Sequence, residues 1–134
     1  MMTPKAIKLH RKSALLELTY ADGRRFDLEA ELLRVYSPSA EVRGHGVGQE
    51  VLQVGKRHVG IDTVAPVGNY AVRISFDDGH NSGIYSWQTL YELATQQAER
   101  WQDYLDRLAA AGGSREPLPA DTQVITIQPS GKPS

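Results

Sequence analysis

From Trp87 onward the apolar residues Trp87, Leu90, Tyr91, Ala94, Ala98, Trp101, Leu105 and Leu108 recur every three or four positions. That spacing lines them along one stripe of an α-helix. Ser86 offers a hydroxyl cap before the run and Gly112-Gly113 a stop after it, so the pattern predicts one long amphipathic helix. A helix with a single apolar face needs a surface to cover, and the preceding chain supplies strands. Ile7 and Leu9, then Leu16, Leu18 and Tyr20, alternate on either side of the polar break Arg11-Lys12-Ser13. The turn Ala21-Asp22-Gly23-Arg24 follows, and Arg25-Phe26-Asp27-Leu28 resumes the alternation, which predicts a small antiparallel meander.

Between the meander and the long helix the signals are mixed. Ala30, Leu33 and Tyr36, beside Leu32 and Val35, predict a two-turn helix over 29–36 that Ser37-Pro38 ends. The stretch 39–53 is punctuated by Gly44, Gly46 and Gly48 and reads as a loop. His58 to Val67 is β-branched and Tyr70-Val72-Ile74-Phe76 alternates cleanly, which predicts two more strands, the second ending at Asp77-Asp78-Gly79. Four of the seven prolines fall in the last 21 residues, which carry few large apolar side chains, so that end reads as a loosely ordered tail, with Val124-Ile125-Thr126-Ile127 as a candidate edge strand. The expectation is an α+β domain over 1–112: a small antiparallel β-sheet meander with one short helix and one long C-terminal amphipathic helix. A Pro-rich tail follows over 113–134. At 134 residues, a single core accounts for the chain.

Composition narrows the chemistry. The chain has no cysteine, which excludes disulfides, thiolate zinc sites, cysteine nucleophiles and cysteine-held iron–sulfur clusters. Fifteen basic against 16 acidic residues leave a net charge of -1, which argues against a dominant nucleic-acid face. No apolar run approaches the ~18 residues of a membrane span, and Met1 to Lys12 has no apolar segment of the secretory kind, so the expected location is cytoplasmic with no membrane partner.

Local motifs for catalysis fail one by one. Gly44-His45-Gly46-Val47-Gly48 is followed by Gln49-Glu50, matching neither a dinucleotide fingerprint nor a P-loop. His10, His45, His58 and His80 show no ligand-pair spacing, and Ser82 and Ser86 lack a nucleophile elbow. Asp77-Asp78-Gly79-His80 holds acid and base groups but has the composition of a strand exit. The chain therefore reads as no enzyme and as needing no cofactor.

Three segments carry a resemblance. They are Leu33-Arg34-Val35-Tyr36-Ser37-Pro38-Ser39-Ala40-Glu41-Val42-Arg43-Gly44-His45-Gly46, Pro66-Val67-Gly68-Asn69-Tyr70-Ala71-Val72-Arg73, and Asp77-Asp78-Gly79-His80-Asn81-Ser82-Gly83-Ile84-Tyr85-Ser86-Trp87. Together they resemble the gamma-butyrobetaine hydroxylase-like N-terminal domain family, over about Lys5 to Leu108. The resemblance implies a compact α+β domain that occurs alone in bacteria, ahead of the catalytic domain in gamma-butyrobetaine and trimethyllysine dioxygenases, and fused to P-loop proteins that carry iron–sulfur clusters.

In the dioxygenases the domain resembles a zinc module with three cysteines and a histidine. Carried onto this chain, the cysteine positions fall on Ser37, Ser39 and Val42 and the histidine on His80, so the resemblance implies a lost zinc site. It also implies that Arg34, Ser37, Ser39, Arg43, His45, Asp78, His80, Ser82 and Tyr85 gather into an interaction patch. The expected role is a non-catalytic accessory or protein-interaction module with another cytosolic protein as partner. The alternatives are an accessory in iron–sulfur or metallocluster assembly, and a small-molecule binding domain using His80, Arg34 and Tyr85.

Overall fold

The computed structural model describes residues 2–44 and 51–117. Its elements run β1 (Ala6–His10), β2 (Leu15–Thr19), β3 (Arg25–Glu29), α1 (Ala30–Val35), α2 (Ala40–Arg43), β4 (Ile61–Val67), β5 (Ala71–Phe76), β6 (Gly83–Ser86), α3 (Trp87–Thr95) and α4 (Gln97–Ala111). The architecture is α+β, with two antiparallel three-stranded sheets ordered β1-β2-β3 and β4-β5-β6. Among the described residues no helix is long and apolar enough to cross a membrane.

Register explains why one face of each sheet is apolar. In the first sheet Ile7 pairs with Leu18 and Leu18 with Phe26, while Leu9 pairs with Leu16 and Leu16 with Leu28, so two apolar rows cross it on one side. Gly23 turns the β2–β3 hairpin at φ 93, a conformation that L side chains rarely adopt. In the second sheet Pro66, Val72 and Tyr85 form one row and Val64, Ile74 and Gly83 another. Leu16, Leu18 and Leu28 share a single core with Ile61, Val72, Ile74, Phe76 and Tyr85, and with Leu90, Leu93 and Ala94 of α3. α1 is buried along its whole length and joins this core through Leu32 and Leu33.

The structure departs from the sequence reading in four places. The single long helix is two, because the chain leaves helical geometry at Gln96 (φ -116, ψ 22). Side chains compete for carbonyls there, Thr95 Oγ1 donating to Tyr91 O and Gln97 Nε2 to Ala94 O. The two helices also serve different clusters: α3 covers the main core, whereas Tyr104 and Leu108 of α4 join Val35 in a smaller one. β6 was not expected, and neither was α2, a single turn inside the glycine-rich loop. The strand expected from His58 begins at Ile61.

α4 ends at Gly112, whose φ of 68 closes the helix in the left-handed conformation. The chain then lays Ser114–Glu116 beside Gly55–Arg57, through Gly55 N donating to Ser114 O and Arg57 N to Arg115 O. Arg115 makes two hydrogen bonds, 2.7 and 2.8 Å, to the buried carboxylate of Glu31 on α1 and stacks over Trp101 at 5.0 Å. The rest of the expected tail, 118–134, with its candidate strand at Val124–Ile127, lies outside the described residues, as does 45–50.

Candidate functional site

The site is built where the exit of α1 meets the turn between β5 and β6. Phe76 N closes the turn by donating to His80 O at 2.8 Å, and Gly79 N donates to Phe76 O. Asp78 caps the turn from within, its Oδ1 taking the backbone N–H of His80 at 3.1 Å. This geometry drives the His80 ring inward, where it is 7% exposed and lies against Phe76. From the other side Ser37-Pro38-Ser39 ends α1 and starts α2, and both hydroxyls point at the same ring nitrogen. Ser37 Oγ is 2.8 Å and Ser39 Oγ 3.3 Å from His80 Nε2. Ser39 is the residue before α2 but makes no side-chain cap, because its hydroxyl is engaged with the histidine.

Packing makes this clasp tight. Ser37 is 1% exposed, and its Oγ also accepts the Ser39 N–H. A Cβ on Gly83 would stand 2.6 Å from Ser37 Oγ and 3.0 Å from the Tyr85 ring, so only glycine fits where β6 passes the clasp. Tyr85 is fully buried in the same wall, its hydroxyl donating to Leu33 O of α1, and burial pushes its pKa far above the ordinary phenol range. Burial also lowers the pKa of His80, with the nearby Arg34 cation pushing the same way against Glu41 and Asp78, so the ring favours its neutral form.

An ionic belt surrounds the clasp. Asp78 Oδ2 receives Arg34 Nε at 2.9 Å and Lys56 Nζ at 2.8 Å, and Arg34 Nη1 reaches Gln53 Oε1 at 3.0 Å. Burial alone would raise the Asp78 pKa. The hydrogen bonds from Lys56, the His80 backbone and Arg34 overcome it and hold the carboxyl at about 2. Outside the belt, exposed Ser82 donates to Glu41 Oε1, joining the β5–β6 segment to α2.

Of the nine residues expected to form a patch, the fold brings Arg34, Ser37, Ser39, Asp78, His80, Ser82 and Tyr85 together. Arg34, Ser37, Ser39, His80 and Tyr85 lie below the surface, while Ser82 and Arg43 are exposed and the Asp78 side chain is 23% exposed. His45 lies outside the described residues. Sequence reasoning missed Lys56 and Gln53, which stand in an irregular stretch without a pattern to flag them. Glu41 sits inside the first quoted segment, and its acidic side chain among polar neighbours was the signal available there.

The donor set does not fit zinc. Neutral hydroxyls at Ser37 and Ser39 are poor zinc ligands, Val42 is an apolar side chain buried in the wall, and the one suitable nitrogen, His80 Nε2, is occupied by the two hydroxyls. Among the described residues no three histidine, aspartate or glutamate side chains gather as a metal site.

The segment pairing also accounts for the second quoted stretch. Trp87 Nε1 donates to Asn69 O at 2.8 Å and Trp87 N to Tyr70 O, so the β4–β5 turn is tied to the first residue of α3. Comparison with known proteins places this arrangement. Two solution NMR structures are similar to this chain at 51% and 53% identity, with TM-scores of 0.75 and 0.72. Each match covers 92% of this chain, and 97% and 95% of theirs respectively. A crystal structure of a protein of unknown function from Acidithiobacillus ferrooxidans, of the DUF971 family, is 38% identical with a TM-score of 0.58, over 69% of this chain and 93% of that one. No curated protein matches. The family model for gamma-butyrobetaine hydroxylase-like, N-terminal domains matches residues 7–91, the span that holds both sheets, the clasp and the start of α3, and the chain belongs to that family.

Proposed function

We propose that this chain is a non-catalytic, cytoplasmic accessory module that works by engaging another protein through the surface around the Ser37–Ser39–His80 clasp. The observation that carries this reading is how the reactive groups are used. His80, Ser37, Ser39 and Tyr85 bond to one another or to backbone beneath the surface, where a substrate does not reach them. Polar groups at the rim, Glu41 on α2 with Asp78 and Ser82 between β5 and β6, stand instead on segments held from below, an arrangement suited to recognition with little ordering cost.

The test is affinity capture with the full chain, identification of the captured protein, and titration of that purified partner against wild type and a Glu41→Lys/Ser82→Lys variant. The reading expects saturable one-to-one binding by wild type. It expects at least about tenfold weaker binding by the variant at unchanged melting temperature. Equal binding by both chains would remove this surface from the interface.

A further inference from the structure

A cavity of about 460 Å3 opens beside α4, with Ser37 in its lining and His80 outside it. That volume is within the range of small-molecule sites, roughly 300–1,000 Å3. Its floor is apolar, formed by Val35, Leu52 and Tyr104 of the smaller core cluster. Its rim carries three guanidinium groups, Arg43, Arg100 and Arg107, against two carboxylates, Glu92 and Asp103, which leaves one positive charge in surplus.

Two of the arginines are held in place. Arg100 and Arg107 stand two turns apart on α4, and both guanidinium carbons lie 5.6 Å from the centre of the Tyr36 ring. Tyr36 is fixed in turn, its hydroxyl donating to Arg100 O at 2.7 Å and receiving Arg107 Nη2 at 3.2 Å. Arg107 Nε is 3.1 Å from Asp103 Oδ2, and Arg100 Nε donates to Gln96 Oε1. A guanidinium has five N–H donors, so each arginine keeps others for a planar acceptor.

We propose that this cleft binds a small organic oxyanion, its apolar body on the Val35–Leu52–Tyr104 floor and its carboxylate or phosphate on Arg100 and Arg107. Of the nine residues expected to form a patch, its lining holds only Ser37 and Arg43, and the proposal does not depend on partner capture.

The test is an NMR titration of the full chain, following backbone amides, with benzoate, phenyl phosphate and inorganic phosphate. The first two have one apolar body and two different anionic groups, and the third has no body. The proposal expects saturable shifts centred on Val35, Tyr36, Leu52 and 100–107 with at least one organic ion, whichever binds tighter naming the anionic group. It expects binding at least about tenfold weaker for inorganic phosphate and for an Arg43→Gln/Arg100→Gln variant. Arg100→Lys keeps the charge and removes the fork, and it should weaken binding at least about threefold in a chain that folds as wild type does. Absence of saturable shifts with both organic ions, equal binding of inorganic phosphate, or unchanged affinity in the variants would each overturn it.

Discussion

At the scale of single residues, Asp78 and His80 give the account its sharpest consequences. Asp78 titrates near 2 in the fold and near 3.9 when unfolded, so its contribution is present above about pH 4 and is lost as pH falls toward 2. His80 has the opposite charge type with the same direction of effect. Its lowered pKa means that the unfolded chain binds the proton first, so stability falls as pH drops below about 6.5 toward the folded value. Urea unfolding at a series of pH values should show both losses, and Asp78→Asn should remove the lower one while reducing stability near pH 7 by roughly 1–2 kcal/mol, a modest figure because solvent partly screens the pair. Gly83→Ala tests the close approach to Ser37 Oγ. It should destabilise by about 1–3 kcal/mol in the same assay, because the hydroxyl cannot retreat without leaving His80. Ser37, Ser39 and His80 were legible in the sequence through the family segments that contain them. Their depth was not, since a polar residue in a predicted loop gives no local sign that the fold will close over it.

At the scale of elements, the periodicity from Trp87 to Leu108 concealed a division. Apolar spacing continues through Thr95–Gln97, yet Leu90, Leu93 and Ala94 face the main core while Tyr104 and Leu108 face the cluster around Val35. One-dimensional spacing reports that a face is apolar and is silent on which core receives it. β6 escaped for a related reason: four residues with Gly83 inside and Ile84 41% exposed make too short and too mixed a pattern. The segment after α4 leads to a truncation experiment. Deleting 118–134 keeps Arg115, whereas deleting 114–134 removes it and strands the Glu31 carboxylate, 4% exposed, without its cation. That loss should reach about 2–4 kcal/mol, or a fall of roughly 10 °C or more by calorimetry, given that Arg115 itself is partly exposed.

At the scale of the whole molecule, the α+β class was legible because strand alternation and helical spacing are local properties. The split into β1-β2-β3 and β4-β5-β6 was not, because which strands pair depends on contacts across the chain. The three family segments now have a common explanation. Two of them form the clasp and give its belt Arg34 and Asp78, and the other ties the β4–β5 turn to α3 at Trp87. The fold thus closes at this point through hydrogen bonds and packing, and elemental analysis of the chain purified without a histidine tag should find zinc far below one per molecule. The central claim is that the Ser37–Ser39–His80 clasp is a structural tie supporting the surface above it. The most direct measurement is the unfolding free energy of His80→Ala against wild type, in urea with excess chelator at pH 7.5. The account predicts a loss of about 1–3 kcal/mol, from two hydroxyls left without their buried partner and from the space that the ring vacates. A loss below about 0.5 kcal/mol would contradict it, because a buried ring that ties two loops cannot be removed at the cost of an ordinary surface substitution.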